Sequence, residues 1–148
     1  MSRYQETLEW LYAQLPVFQH TGGQQSSYKL DLKKTEAFME ALGHPYRHFP
    51  AFHVAGTNGK GSTSHMLASC LQAGGYRVGL YTSPHLVSYT ERIRIQGQAI
   101  SEEAVVEFVD QWKPLLVDLR LSFFEMSVGM AYQTFAEAQV DVAVIEVG

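Results

Sequence analysis

Residues Ala51 to Thr63 read AFHVAGTNGKGST, and this stretch decides the fold. Ala51, Phe52, His53, Val54 and Ala55 form a short, mostly apolar run of strand length. Gly56, Thr57, Asn58, Gly59, Lys60 and Gly61 form a Gly-rich loop. Ser62 and Thr63 open a segment that reads as a helix to Gln72. Strand, Gly-rich loop and helix, in that order, make a phosphate cradle. Backbone N–H groups converge on the anion, the helix N-terminus adds its dipole, and a lysine ammonium reaches the outer phosphates. A hydroxyl one or two residues on can ligate Mg²⁺. The spacing departs from Gly-x-x-x-x-Gly-Lys-[Ser/Thr], because Val54 stands at the first Gly position and Gly61 takes the place of the hydroxyl. The bland alternative is a Gly-rich turn that only joins strand to helix. The lysine, the hydroxyls and the order of elements favour the phosphate reading.

Working outward, Ser64 to Gln72 continues the helix with Met66, Leu67 and Cys70 on one face, and Gly74 and Gly75 supply its stop. Cys70 fits a small buried position, and as a single cysteine it has no partner for an internal disulfide. Arg77 to Thr82, RVGLYT, is a second core strand. A βαβ unit with a phosphate loop at its first turn implies an α/β fold, a doubly wound and mostly parallel sheet with right-handed crossovers. Strand order is not legible at this level.

Thr82 to Arg94, TSPHLVSYTERIR, leaves the C-terminal end of that strand, where open α/β sheets place ligands. Thr82 and Ser83 offer hydroxyls and Pro84 fixes a turn; a plain surface loop is the alternative. Residues 91–95 and 98–100 around Gly97 read as a hairpin. Ser101 caps a helix to about Val117, with Glu102 and Glu103 in its first turn and Pro114 as a kink or break. A further helix spans Ser122 to Gln139, and its stripe of Phe123, Phe124, Met126, Met130 and Phe135 suits a core. Asp141 to Gly148, DVAVIEVG, is a buried strand in which Glu146 breaks the apolar run near the C-terminal end, the expected place for a Mg²⁺ partner.

Upstream, Tyr4 to Leu15 is a packing helix with Pro16 as its stop, Gln19 to Ser27 is a polar loop, and Asp31 caps a second helix to Leu42. Lys33 and Lys34 form a solvated face. His44, Arg47, His48 and His53 match no metal-ligand spacing, and His53 reads as a core histidine.

At 148 residues the chain is one domain on length, with 46% apolar and 18% charged residues in the globular range. A net charge of −4 argues against general nucleic-acid binding. Glu6 and Glu9 near the start argue against a signal peptide, and no apolar run approaches the ~20 residues of a membrane span. One cysteine fits a reducing cytoplasm.

HVAGTNGKGST, TSPHL followed by ERI, SFFE and IEVG occur in this order. Together they resemble the folylpolyglutamate synthase / dihydrofolate synthase branch of the Mur ligase superfamily, and the resemblance covers essentially the whole chain. Glycine after the loop lysine is typical of the folate branch, whereas cell-wall ligases carry Thr or Ser there. The resemblance implies a Mur ligase-type central ATPase domain and ATP- and Mg²⁺-dependent joining of L-glutamate to a dihydropteroate or reduced folate carboxylate. By that match Lys60 is catalytic. The loop from Gly56 through Thr57, Asn58, Gly59, Lys60, Gly61, Ser62 and Thr63 holds the ATP phosphates. Ser83, Glu146 and Ser62 surround the metal, and Phe124, His85 and Arg92 lie on the substrate side, Phe124 stacking on the pterin. Ser122 stands where the family carries Thr. The resemblance further implies a truncated chain: leading helices in 1–50, a nucleotide-binding core in 51–148, and the rest of that domain and a C-terminal domain downstream. Such a chain is expected not to turn over alone, and the family expectation is a monomer. A Mur-type peptide ligase and a non-ligase phosphate-loop NTPase or nucleotide-binding module are the rival readings.

Overall fold

A computed structural model describes residues 1–15 and 32–148. The expectations for Pro16, for the Gln19–Ser27 loop and for the Asp31 cap lie outside the described residues. Five strands form one sheet in the order β1-β5-β2-β3-β4. β1 (Ala51–Val54), β5 (Val142–Glu146) and β2 (Val78–Tyr81) run parallel. β3 (Ile93–Ile95) and β4 (Gln98–Ala99) add an antiparallel hairpin to β2. Its turn residues Gln96 and Gly97 sit at φ 50° and 78°, the left-handed pair that matches hairpin twist.

β2 and β5 are buried on both faces because helices cover both. Val78, Leu80, Val142 and Val144 pack on Ala68, Leu67 and Leu71 of α3 (Lys60–Ala73). The alternate residues Tyr81, Ala143 and Ile145 join a larger core with Phe123, Met126, Met130 and Phe135 of α5 (Phe123–Glu137). α1 (Arg3–Tyr12) packs on α4 (Glu102–Asp118), and α2 (Leu32–Ala41) on α5, completing that second layer. The doubly wound, mostly parallel α/β reading therefore holds. No helix among the described residues is long and apolar enough to cross a membrane.

Close helix–sheet contact depends on Gly79. A Cβ there would stand 2.5 Å from Cδ1 of the fully buried Phe135. Gly79→Ala is expected to lower unfolding free energy by about 2–3 kcal/mol, read as a lower urea midpoint, because neither the strand nor the ring has room to move.

Four local expectations change. α3 begins at Lys60, two residues early, and buries Ser64 and Ala68 rather than the Met66–Cys70 face; Met66 is 61% exposed and Cys70 is exposed. Ser64 and Ala68 are buried against the sheet with Leu67 and Leu71 packed beside them, which leaves Met66 exposed. His53 is exposed rather than core, because β1 is the edge strand of the sheet. The break expected at Pro114 does not occur: α4 is continuous, held by Val105, Phe108 and Val109 before the proline and Leu116 after it. Residues 89–92, read partly as strand, form a 3₁₀ turn instead.

Candidate active site

Parallel register sets Val54 opposite Glu146 and Tyr81 opposite Ile145. The three parallel strands thus end level, and the loops that follow β1 and β2 flank the end of β5. α3 starts there without a side-chain cap, and Gly59 before it is left-handed at φ 78°, a conformation glycine adopts freely. The first intrahelical bond is Thr63 N–H to Gly59 O at 2.9 Å. The N–H groups of Lys60, Gly61 and Ser62 therefore precede the helical ladder, as an anion site requires. Thr57 and Asn58 are exposed in the loop. Lys60 folds back over it: Nζ donates to Gly56 O at 2.7 Å, and its Cε lies 3.1 Å from where a Cβ on Gly148 would stand.

Glu146 is only 6% exposed. Its Oε2 accepts the Ser83 N–H at 3.1 Å. Both carboxylate oxygens lie 3.9 Å from the position of a Cβ on Gly61. The carboxylate is thus wedged between the Ser83 loop and the start of α3. Ser62 is exposed one residue further along the helix. Hydroxyl and carboxylate oxygens are hard donors. No cluster of three or more His, Cys, Asp or Glu that could hold a metal occurs among the described residues. The donor set therefore fits a cation that completes its shell with phosphate oxygens and water, as Mg²⁺ does.

On the other side of Ser83 lies an aromatic layer. Arg92, 5% exposed, donates from Nε to His85 Nδ1 at 2.8 Å. Its guanidinium carbon sits 5.0 Å from the Phe123 ring centroid and 5.8 Å from that of Tyr89. Burial, and then the Arg92 charge, lower the pKa of His85. Tyr89 is buried and its hydroxyl lies 2.9 Å from Ser127 Oγ; burial pushes its phenol up. Ser122 caps α5 and forms a reciprocal box with Glu125. Phe123 turns inward, while Phe124 stays 49% exposed and edge-on to it at 5.4 Å. The apolar stripe is core except at Phe124. His85, Arg92 and Phe124 therefore belong to one contiguous layer, with Arg92 beneath and Phe124 at the surface.

No protein-family model matches the chain. It is 37% identical, over 98% of its length, to the dihydrofolate synthase/folylpolyglutamate synthase of Bacillus subtilis, covering 33% of that relative. A Mycobacterium tuberculosis folylpolyglutamate synthase solved in complex with ADP superimposes with a TM-score of 0.85 at 34% identity, over 99% of this chain and 32% of the other. A folylpolyglutamate synthase complex with AMPPCP and folate gives 0.82 at 37% identity, over 98% and 35%. Over nearly its whole length the chain is similar to the folylpolyglutamate synthase / dihydrofolate synthase family. It spans a third or less of the length of the curated relatives it matches.

Within this chain, two residues passed over in the sequence organise the loop of residues 85–88. Tyr12, on a helix read only as packing, brings Oη within 3.3 Å of His85 Nε2. Glu91 accepts three backbone N–H groups, from Leu86 and Val87 at 3.1 Å and from Ser88 at 2.8 Å. The Ser88-x-x-Glu91 spacing is that of a capping box and was the available signal. The Ser88 and Leu86 N–H bonds hold the Glu91 carboxyl below the usual range. A lowered folded pKa means the loop gains stability above the unfolded carboxylate pKa and loses it as pH falls through the lowered value. The Leu86, Val87 and Ser88 amide shifts are expected to titrate together, with a midpoint below that of an ordinary glutamate. Glu91→Gln should abolish that transition in an NMR pH series.

Proposed function

We propose that the protein carrying this chain joins L-glutamate to a pteroate or folate carboxylate in an ATP- and Mg²⁺-dependent amide ligation through an acyl phosphate. The observation that carries this reading is the convergence of an uncapped α3 N-terminus, Lys60, and a buried Glu146 hydrogen-bonded to the Ser83 loop. Supporting it are relatives named for this activity and neighbouring structures holding ADP, AMPPCP and folate.

A carboxylate is a poor electrophile, and a phosphoryl group taken from ATP turns it into one that the glutamate amine attacks. That transfer needs positioning and charge neutralisation more than covalent help from the protein. The N–H groups of Lys60, Gly61 and Ser62 receive phosphate oxygens. The Lys60 ammonium leaves Gly56 O for the outer phosphates. Glu146, Ser83 and Ser62 would hold Mg²⁺, which neutralises phosphate charge when bound. Phe124 offers an exposed ring face for a flat pterin, as aromatic surfaces do. His85 and Arg92 lie in the layer that Phe124 closes. The same reading places residues 1–50 as leading helices and 51–148 as the nucleotide-binding core. The protein is cytoplasmic and monomeric, with small-molecule substrates and no nucleic-acid or membrane partner.

The test is ADP release by the protein expressed at its full coding length. ATP, Mg²⁺ and glutamate are supplied with dihydropteroate or a reduced folate. ADP formation that needs both glutamate and the pteroate-type acceptor supports the ligase. ADP formation without either would replace it with a plain NTPase.

A further inference from the structure

The His85–Arg92 pair carries chemistry that the phosphate and metal chemistry does not use. An arginine Nε–H is always a donor, since the guanidinium keeps its proton at any working pH. The Arg92 Nε to His85 Nδ1 bond at 2.8 Å therefore makes Nδ1 an acceptor without a proton. The proton of the neutral ring then sits on Nε2, which is 3.3 Å from Tyr12 Oη. His85 is partly exposed, whereas Arg92 is almost wholly buried. The guanidinium lies against the rings of Tyr89 and Phe123, which also contact each other edge-to-face. Its Nη1 has no hydrogen-bond partner. A cation buried this way, with no carboxylate bonded to it among the described residues, is costly to hold.

We propose that Arg92 is a positioning residue: from beneath the loop it locks His85 in the Nε2–H tautomer, so that His85 presents a neutral hydrogen-bond donor to an acceptor atom of the pteroate-type substrate. Arg92 itself does not touch the ligand. Tyr12 Oη occupies the donor in the free protein and gives it up when the substrate arrives. A carbonyl oxygen or unprotonated ring nitrogen suits such a donor, and a second N–H donor is rejected. The substrate half of this inference rests on the proposed ligase function; the tautomer lock does not.

Two measurements test it. In ¹⁵N-histidine-labelled chain, long-range proton–nitrogen correlations report the state of each ring nitrogen. His85, assigned by its loss in His85→Gln, is expected to show an unprotonated Nδ1 and a protonated Nε2. In Arg92→Lys the two signals should move toward a tautomer average. Averaged or reversed signals in the unsubstituted chain would overturn the lock, as would an unchanged His85 in a folded Arg92→Lys chain. If Arg92→Lys does not fold, the spectrum of the unsubstituted chain decides alone. In the ADP-release assay at full coding length, His85→Ala should raise KM for the pteroate-type acceptor roughly tenfold and leave KM for ATP unchanged. His85→Gln, whose amide N–H₂ reaches the Nε2 position, should recover most of the loss. An acceptor KM that moves in neither variant, or equally in both, defeats the substrate role. No ADP release with any acceptor would instead defeat the ligase reading, and the nitrogen signals would still judge the lock.

Discussion

Lys60→Met is expected to reduce acceptor-dependent ADP release by roughly 10²- to 10³-fold, the scale of losing one charged donor that acts on developing phosphate charge. Methionine keeps most of the apolar stem that lies against Gly148 and removes only the ammonium. That ammonium rests on Gly56 O at an exposed position, so its loss leaves the fold intact. Thermal unfolding of the chain should shift by no more than an exposed hydrogen bond allows. Calorimetric titration of the chain should show nucleotide affinity falling much less than turnover. Turnover within a few-fold of the unsubstituted protein would mean that the loop binds phosphate passively and that the transfer chemistry lies elsewhere.

Glu146 produces the second large effect, and two substitutions separate its roles. Glu146→Gln keeps a carbonyl oxygen for the Ser83 N–H and removes the charge. It is expected to fold normally, to lose about 10²-fold or more in activity, and to require more Mg²⁺ for half-maximal rate. Glu146→Ala also strands the Ser83 N–H, which is partly buried, and should cost a further 1–3 kcal/mol, roughly, in unfolding free energy. A Gln variant with an unchanged Mg²⁺ requirement would place the metal away from this carboxylate. An Ala variant as stable as Gln would mean that the Ser83 loop does not depend on it.

The strand, Gly-rich loop and helix around Lys60 were legible because their parts are local. Glycines, lysine and hydroxyls within a dozen residues specify backbone geometry without help from the rest of the chain. The sheet's double covering was legible too, since DVAVIEVG is apolar on consecutive positions, a pattern that only burial on both faces explains. What stayed hidden depends on partners far along the chain. His53 differs from Val144 because one strand is at the edge and the other between two neighbours. Met66 faces outward because Ala68 and Ser64 bring α3 close to the sheet. Arg92 looked like a charged residue on the substrate side, yet it is buried beneath His85. Two aromatic rings, contributed by the 3₁₀ turn and by α5, lie against its guanidinium, and His85 accepts its Nε–H. Glu91 is a different case: the capping spacing to Ser88 was written in the sequence, and only its reach to Leu86 and Val87 needed the fold.

The position of β5 has a consequence for how the protein is made. β1 and β2 are joined by α3 but are not hydrogen-bonded to each other; β5, the last strand described, fills the space between them. A nascent chain therefore displays the lysine loop and the serine loop for some 60 residues of synthesis before the strand that aligns them emerges. The same strand brings Glu146. Alignment of the two loops and delivery of the acid are thus a single event in folding, dominated by contacts between distant parts of the chain, which are slow to form. A polypeptide ending before β5 would carry the lysine loop and the serine loop without the acid that stands between them. The aligned loops and their acid then arrive in one step rather than by degrees.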